Sequence, residues 1–263
     1  MDLQLKGKKA FISGATQGIG FAIASQLLEE GAAVIINGSN PDKARKALDQ
    51  LLQAFPGAAV TAIVADLSDR EAVEKMLPQL EDIDILINNA GIFGIGDFFE
   101  TADEDWYRYF EINLMSAMRL SRHLLPGMIG KGWGRIIFIS SESGVNVPGN
   151  MIPYGMTKAA MSALSNGLSK LTRGTAVTVN TVLGGPTYSE GVAKAVTEIA
   201  RAQQMDIAQV KDMILQQSNP HILLQRFIDP GEIANLVTYL ASPRSVATNG
   251  SSLRADSGVL KVI

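Results

Sequence analysis

Residues 9–30 read KAFISGATQGIGFAIASQLLEE, and this stretch decides the fold. Its first five residues, 9–13, form a short apolar segment typical of a buried strand, and apolar residues recur with helical spacing from Gly18 onward. Glycine stands at 14, 18 and 20, in the turn between strand and helix. The helix that follows such a turn presents unpaired N–H groups and the positive end of its dipole to an anion. The stretch therefore predicts a strand–turn–helix unit that binds the phosphates of a dinucleotide.

The spacing of the glycines is Gly-x-x-x-Gly-x-Gly, which differs from the standard Gly-x-Gly-x-x-Gly fingerprint. Taken alone, it is also compatible with a tight turn that binds nothing. If the turn holds a dinucleotide, the residues in contact with it are predicted to be Gly14, Thr16, Gln17, Gly18, Ile19 and Gly20.

Short apolar segments without a polar face alternate with longer segments of helical period along the rest of the chain. Parallel strands covered on both faces have this near-continuous Val and Ile content. The strands are predicted at 9–13, 33–37, 60–64, 83–88, 135–140, 177–183 and, at the sheet edge, 252–254. The helices are predicted at 18–30, 41–54, 68–80, 103–130, 151–173 and 230–241. The pattern predicts an α/β fold, a doubly wound (Rossmann-like) parallel sheet of about seven strands with helices on both faces.

Two helix starts carry capping signals. Asn40 precedes Pro41, which indicates an N-cap followed by proline at the first helical position. Thr101 and Glu104 have the spacing of a capping box.

Residues 1–263 are predicted to form a single NAD(P)-binding Rossmann domain. Within it, residues 184–229 separate the sixth strand from the next helix, and loops of that length are usually functional. Apolar residues recur there at helical spacing, so the segment is predicted to be a small helical substrate lid inserted in the domain.

Composition excludes several classes of function. The chain is 46% hydrophobic and 19% charged, with a formal net charge of −3 and no basic run, so a nucleic-acid partner is not expected. It has no cysteine, which excludes disulfides and thiolate chemistry. Its two histidines, His123 and His221, are isolated, so no metal site is predicted. No segment near residue 1 is apolar enough for a signal peptide or a membrane span, and a cytoplasmic location without membrane contact is expected.

The end of the second predicted strand bears on the choice of cofactor. A carboxylate that binds the ribose 2′-hydroxyl of NAD(H) is expected there, and the sequence reads Asn37-Gly38-Ser39-Asn40 instead. Without that carboxylate a 2′-phosphate meets no repulsion, and Lys43 follows closely. We therefore expect NADP(H) rather than NAD(H), with Ser39 in contact with it. The alternative is that Ser39 only helps to cap the helix.

A possible proton-transfer group follows the fifth strand. Tyr154 and Lys158 are four residues apart on a predicted helix and therefore share a face, and Ser141 directly follows the predicted fifth strand. A phenol exchanges protons poorly at neutral pH unless a nearby cation stabilises its anion, and Lys158 supplies that cation. Ser141 could then hold a carbonyl oxygen. A Tyr/Lys pair of this spacing is also common on solvated helices.

Taken together, these motifs resemble the short-chain dehydrogenase/reductase family in its single-domain form, over nearly the whole chain. The resemblance implies that Tyr154 is the general acid/base, Ser141 orients the carbonyl, and Lys158 binds the nicotinamide ribose and lowers the pKa of Tyr154. It implies that Asn113 supports a proton-relay water. It also implies further dinucleotide contacts at Asp66, Leu67, Asn89, Ala90, Gly91, Gly185, Thr187 and Ser189.

The expected activity is hydride transfer between NADP(H) and a carbonyl/secondary alcohol pair. Phe93, Glu142 and Tyr188 are predicted to face the substrate together with Ser141 and Tyr154, and mostly apolar neighbours indicate a medium-sized, mainly uncharged ketone or secondary alcohol. The resemblance suggests a homodimer or homotetramer built on the long helices before and after the fifth strand. The alternatives are a catalytically weak dinucleotide sensor on the same fold, and a hydrolase using Ser141, for which no histidine partner is identifiable.

Overall fold

A seven-stranded parallel sheet forms the centre of the computed structural model, which describes residues 1–261. Its strands are β1 (Lys9–Ile12), β2 (Ala33–Gly38), β3 (Val60–Val64), β4 (Ile85–Asn88), β5 (Trp133–Ser141), β6 (Ala176–Gly184) and β7 (Ser252–Ala255). They lie in the order β3-β2-β1-β4-β5-β6-β7, and every neighbouring pair is parallel. The order reverses between β1 and β4, where a doubly wound fold has its ligand crevice.

Helices cover both faces of the sheet and confirm the predicted α/β doubly wound fold. They are α1 (Gly18–Glu29), α2 (Pro41–Ala54), α3 (Arg70–Met76), α4 (Asp103–Tyr109), α5 (Ser116–Lys131), α6 (Ile152–Ser169), α7 (Glu190–Gln203), α8 (Ile207–Ser218) and α9 (Pro230–Ala241). On one face α1, α2 and α9 pack on strand residues such as Ile12 and Ile36. On the other, α3, α5 and α6 pack on residues such as Phe11 and Leu86. Alternate residues of each strand are thus buried on opposite faces.

The predicted helix at 103–130 is interrupted. The chain follows a wider, π-helical turn over Phe110–Met115, between α4 and α5. Such a turn inserts an extra residue into a helix and often marks a functional position. Asn113 lies in this turn and is fully buried. The apolar spacing alone did not reveal the turn, because its residues continue the helical pattern.

One of the two predicted caps is correct. The side chain of Asn40 accepts a hydrogen bond from the amide of Lys43, with Pro41 at the first helical position. The capping box at Thr101 was wrong, because α4 begins after Ala102. The Thr101 hydroxyl instead donates to the carbonyl of Asp97, at 2.6 Å, within the preceding loop.

Residues 184–229 contain two helices, α7 and α8, as their apolar spacing predicted. The pair encloses a small apolar cluster of its own, built on Val196, Ala200 and Val210. A second small cluster around Leu215 and Phe227 joins α8 to the returning chain. Among the helices of residues 1–261, none combines the length and apolar character needed to cross a bilayer.

Candidate active site

The predicted site residues meet at one edge of the sheet. Because the strands are parallel, the turns after β1, β2, β4, β5 and β6 all leave the sheet at its carboxyl edge. The glycine turn, Ser141 and the start of the 184–229 segment follow three of these strands. Residues distant in sequence are therefore brought together at this edge.

The glycine turn is packed too closely for side chains. Gly14 has φ +64°, and a Cβ added there would lie 2.8 Å from the Cα of Ala90. A Cβ on Gly20 would lie 2.6 Å from the carbonyl oxygen of Gly14. Glycine is thus required at both positions, by backbone conformation at one and by close approach at the other.

Polar side chains hold this turn against the neighbouring strands. The Ser13 hydroxyl accepts from the amides of Asn89 and Ala90, each at 3.0 Å. The side-chain amide of Asn89 donates to the carbonyls of Ser13 and Gly14, at 3.0 and 2.8 Å. Asn37 accepts from the amide of Gly14 at 3.3 Å. The turn therefore has a fixed shape, and Asn89 acts as a tie between strand ends.

A cleft of about 480 Å³ opens above the turn. The first residue of α1 borders it, and Gln17 before that residue gives the helix no side-chain cap. The free N–H groups of α1 therefore suit an anion. The predicted dinucleotide contacts that line the cleft are Gly14, Thr16, Gln17, Gly18, Ile19, Ser39, Asp66, Leu67, Asn89, Ala90, Gly91 and Ser189.

The sequence prediction missed other lining residues. Arg108 and Ile112 reach the cleft from α4 and the π-helical turn, and Gly191 reaches it from α7. No motif marks these three positions, because each is placed by the path of a helix rather than by a local pattern.

The other predicted contacts lie beside the cleft. Gly20 is beneath the turn, and Gly185 packs against Asp256, where a Cβ would lie 2.8 Å from the backbone. Thr187 forms a single parallel bridge with Ile228, and its hydroxyl donates to the Gly185 carbonyl at 2.8 Å. The start of the 184–229 segment is thereby held at both sides.

The end of β2 presents small polar groups and one cation to the cleft. Ser39, Asn40 and Lys43 line it. Asp42, in the first turn of α2, is exposed and pairs with Arg45 at 3.0 Å. No acid directly follows β2, as the sequence indicated; Asp66, which lines the cleft after β3, accepts from the amide and the hydroxyl of Ser68 at 2.9 and 2.7 Å.

Lys158 is buried behind the cleft, with 5% of its surface exposed. Its ammonium donates to the carbonyl of Ile139 at 2.8 Å and lies 5.7 Å from the centroid of the Tyr154 ring. Burial lowers the pKa of Lys158 to about 8. A Cβ on Gly91 would lie 3.3 Å from the ammonium, so Lys158 lies just beneath a lining residue of the cleft.

Tyr154 differs from expectation in its ionisation. Burial raises its pKa above the ordinary value, and the nearby groups of Glu142 and Tyr109 raise it further, while hydrogen bonding with Ser141 acts in the opposite direction. The sequence predicted a pKa lowered by Lys158. In this structure the loss of hydration outweighs any such stabilisation of the phenolate.

Ser141 and Glu142 form a connected pair. The Ser141 hydroxyl donates a short hydrogen bond to the carboxylate of Glu142 and accepts from the amide of Ser143 at 3.1 Å. Burial raises the pKa of Glu142. The structure thus joins Tyr154, Ser141 and Glu142 in one hydrogen-bonded group.

Both polar groups of the Asn113 side chain contact other elements. Its oxygen accepts from the amide of Ile92 at 2.8 Å, and its nitrogen donates to the Ile92 carbonyl and the Thr157 hydroxyl, at 3.1 and 2.9 Å. Thr157 is one residue before Lys158. Asn113 therefore connects the loop after β4 to the helix that carries Tyr154 and Lys158.

The two aromatic residues predicted to face the substrate lie in different surroundings. Phe93 is 53% exposed and its ring lies edge-on to Tyr154, with centroids 6.4 Å apart. Tyr188 packs against Phe227 at 5.7 Å, and the ammonium of Lys211 lies 4.0 Å above its ring. Phe93 thus lies against the ring of Tyr154, whereas the ring of Tyr188 packs within the 184–229 segment.

The described residues contain no cluster of acidic or histidine side chains able to hold a metal ion. The groups present at this site are the free N–H groups at the start of α1, which suit an anion, and the phenol of Tyr154 next to the hydroxyl of Ser141.

The chain matches a family of known proteins over most of its length. A sequence model described as short chain dehydrogenase matches residues 8–200. Two uncharacterized oxidoreductases of Bacillus subtilis, YvaG and YvrD, are 40% and 43% identical to it, over 100% and 99% of both chains. The crystal structure of L-sorbose reductase from Gluconobacter frateurii, complexed with NADPH and L-sorbose, is 31% identical, with a TM-score of 0.94 over 100% of both chains.

Proposed function

The chain belongs to the short-chain dehydrogenase/reductase family, whose members oxidise alcohols or reduce carbonyls, and from that premise we propose that it is an NADP(H)-dependent ketoreductase. The observation that carries the proposal is the group of Ser141, Tyr154 and Lys158 beside a cleft built on a glycine turn. Its substrates would be small ketones or the corresponding secondary alcohols.

The residues of the cleft fit a dinucleotide. At the glycines where a Cβ would collide with backbone, the missing side chain lets a ligand approach the main chain closely. The uncapped start of α1 suits a pyrophosphate. The residues that would hold the dinucleotide are Gly14, Thr16, Gln17, Gly18, Ile19, Gly20, Ser39, Asp66, Leu67, Asn89, Ala90, Gly91, Gly185, Thr187 and Ser189, with Tyr154 and Lys158 at the nicotinamide end.

The preference for NADP(H) over NAD(H) rests on the end of β2. Lys43 lines the cleft and can approach a 2′-phosphate. The charge of Asp42 is paired with Arg45, which reduces its repulsion of that phosphate. The NADPH bound by the L-sorbose reductase similar to this chain supports the same choice.

When bound, the dinucleotide supplies a hydride to the carbonyl carbon in reduction and accepts it in oxidation. In reduction, Tyr154 donates its phenolic proton to the carbonyl oxygen, so that the product is an alcohol and the tyrosine is left as phenolate until it recovers a proton from solvent. A phenol is protonated at neutral pH, as reduction requires, and the burial of Tyr154 favours this neutral form. Lys158 stabilises the phenolate that forms, and Ser141 donates a hydrogen bond to the carbonyl oxygen.

Asn113 acts in this proposal as a positioning residue. Its side chain joins Ile92 to Thr157, so it fixes the helix that carries Tyr154 and Lys158 against the floor of the cleft. Support of a relay water would then come from the π-helical backbone around it, since its side-chain groups are already engaged.

We further infer a homodimer or homotetramer in the cytoplasm, with residues 184–229 as the substrate lid of a single domain. On α6 the small residues Ala163 and Gly167 are exposed, and a side chain added at Gly167 would meet nothing within 4 Å. This surface allows close approach of a second helix. The mass in solution, measured by light scattering, tests the assembly.

The activity is tested with NADPH and NADH in turn. We expect fluorescence titration to show tighter binding of NADPH, and absorbance to fall when ketones are added. Tyr154→Phe should lower turnover at least ~100-fold, within the usual range for a general acid, with NADPH affinity nearly unchanged. Full activity in that variant would contradict the assignment, and binding without turnover on any ketone or alcohol would favour a dinucleotide sensor.

A further inference from the structure

Glu142 places a carboxylate beside the group that is to bind the substrate carbonyl. It begins the short turn Glu142–Gly144 directly after β5. One of its oxygens accepts a hydrogen bond from the Ser141 hydroxyl, and the other accepts one from the Ser143 hydroxyl at 3.2 Å. The side chain is only partly exposed, and burial raises its pKa. The carboxylate is thus a fixed part of the site rather than a solvated surface charge.

The carboxylate of Glu142 and the carbonyl of a substrate compete for the one hydrogen bond that Ser141 can donate. A serine hydroxyl has a single hydrogen to donate, and here that hydrogen points at Glu142. When Ser141 turns its hydrogen to a substrate carbonyl, Glu142 loses a donor. A partly buried acceptor that loses its partner without replacement costs binding energy. A simple ketone, which has no donor of its own, leaves Glu142 in that state.

A hydroxyl on the carbon next to the carbonyl removes this cost. Such a substrate accepts from Ser141 with its carbonyl oxygen and donates to Glu142 with its hydroxyl. Ser141 and Glu142 are consecutive and in contact, so their two groups can face neighbouring atoms of one small molecule. A substrate carboxylate in the same place would instead face a carboxylate and be repelled.

We propose that Glu142 is a substrate-binding residue that selects ketones carrying a hydroxyl on the adjacent carbon, by accepting the hydrogen bond of that hydroxyl. The proposal rests on the ketoreductase activity proposed above. The groups that face Glu142 are the hydroxyls of Ser141 and Ser143 and the phenol of Tyr154. Tyr154 in turn has Tyr109 and the ammonium of Lys158 near it. The described contacts give Glu142 no ion pair, which leaves its acceptor capacity to a neutral donor.

Three small ketones test the selection with NADPH as reductant. They are 1-hydroxy-2-butanone, its methyl ether 1-methoxy-2-butanone, and 3-pentanone. The ether activates the carbonyl much as the hydroxyl does but has no proton to donate. We expect kcat/KM for the hydroxyketone to exceed that for the ether at least about tenfold, because a site built to bind a hydroxyl discriminates strongly against its absence.

Variants of Glu142 separate this effect from intrinsic reactivity. Glu142→Ala removes the acceptor and should bring the ratio of hydroxyketone to ether close to one. Glu142→Gln keeps an acceptor oxygen and should retain part of the preference, while improving turnover of the anionic ketone 2-oxobutanoate. Glu74→Gln, on the exposed side of α3 and away from the cleft, is the matched loss of a carboxylate and should leave every ratio as in the parent protein.

The outcomes distinguish the two proposals. If the parent protein reduces ketones but treats the hydroxyketone and the ether alike, or if Glu142→Ala leaves their ratio unchanged, the role of Glu142 is refuted and the ketoreductase activity stands. If no ketone is reduced and no alcohol oxidised, the proposed function fails and the selection fails with it. NADPH titration of each variant verifies that the fold and the cleft are intact.

Discussion

The two halves of the sheet edge are built in different ways. On the dinucleotide side, backbone lies against backbone, as at Gly14 and Ala90, and the space for the ligand is defined by the absence of side chains. On the substrate side, the space is defined by polar side chains that contact one another, as in the chain from Tyr154 through Ser141 to Glu142.

The difference teaches where each kind of change should act. A cradle made of backbone can be damaged by adding one carbon, and the damage should appear as lost dinucleotide affinity. A group made of side chains can be altered by removing one charge or proton, and the change should appear in turnover, pH dependence or selectivity. Variants on the two sides should therefore give separable effects.

The largest expected effect is that of Lys158→Met on the substrate side. Turnover should fall at least ~100-fold, because the phenolate of Tyr154 loses its cation. The free protein should become more stable at pH 7, by roughly 3 kcal/mol, because the buried ammonium is costly to fold: its pKa is lowered from 10.5 to about 8, and one pKa unit corresponds to about 1.4 kcal/mol. Urea denaturation without dinucleotide measures the gain.

The sign of this effect depends on pH. An unfolded lysine keeps its proton to about pH 10.5, whereas the folded Lys158 releases it at about 8. The unfolded chain thus binds more protons between those values, and the stability of the parent protein rises across them. The advantage of Lys158→Met should therefore shrink from pH 8 to pH 10.5. The exposed Lys194→Met is the control, and an advantage independent of pH would contradict the burial argument.

The next effect is that of Gly20→Ala on the dinucleotide side. The added carbon would meet the Gly14 carbonyl at 2.6 Å, so the turn must shift. We expect the Kd for NADPH to rise at least tenfold, since overpacking typically costs 1 to 3 kcal/mol, roughly. Turnover at saturating NADPH should change much less.

Gly127→Ala is the matched control for that variant. It lies in α5, where an added carbon meets nothing within 4 Å, and alanine favours a helix over glycine. NADPH affinity should be unchanged. If both variants bind NADPH as the parent does, the turn is not the cradle of the dinucleotide.

The same contrast explains what the sequence could predict. The dinucleotide side follows from local signals, because Gly14 and the start of α1 are adjacent in the chain and both follow a strand of the central sheet. The parallel, doubly wound sheet was predicted because apolar strands alternate with helices along the chain. The group of Ser141, Tyr154 and Lys158 was accessible because parallel strands bring their carboxyl ends together.

Other features depend on packing that no local pattern records. The π-helical turn around Asn113 continues a regular apolar spacing, so it could not be seen in advance. The ring of Tyr188 was expected near the substrate, but it lies against Phe227 from the far end of the 184–229 segment. The pKa of Tyr154 was predicted to be lowered by Lys158, whereas burial raises it in this structure, and the degree of burial can be judged only from the folded chain.

A smaller effect is expected at Lys43, the position on the dinucleotide side where a side chain rather than backbone is proposed to contact the ligand. Lys43→Ala should lower the preference for NADPH over NADH about fivefold, the value of a partly exposed contact between an ammonium and a phosphate. Titration with both dinucleotides measures the ratio, and Lys46→Ala on the same helix is the control. An unchanged ratio would remove Lys43 from the 2′-phosphate site.

The smallest effect lies outside both halves, at the cap of α9. Asp229 accepts from the amide of Gly231 at 2.8 Å, and its own amide donates to Glu232, whose pKa is lowered to about 2 by Arg226. Asp229→Ala should reduce the free energy of unfolding by about 1 kcal/mol, as loss of an N-cap usually does. Asp229→Asn, which keeps the acceptor, should be close to the parent.

Because of its location, this cap tests whether the dinucleotide side and the substrate side are built independently of their surroundings. It ends the 184–229 segment and starts a helix that packs on α1, where Gln26 donates to the Gly231 carbonyl at 3.0 Å. The stability that the ionised Glu232 adds to this cap should be present above about pH 4.5 and be lost as the pH falls from there toward 2. The reason is that the pKa of Glu232 is lower in the folded protein than in the unfolded chain. If the two halves are independently built, Asp229→Ala lowers stability while NADPH affinity and turnover stay as in the parent. A loss of either would mean that the cap of α9 also shapes the site, and that the backbone cradle is less self-contained than its close contacts indicate.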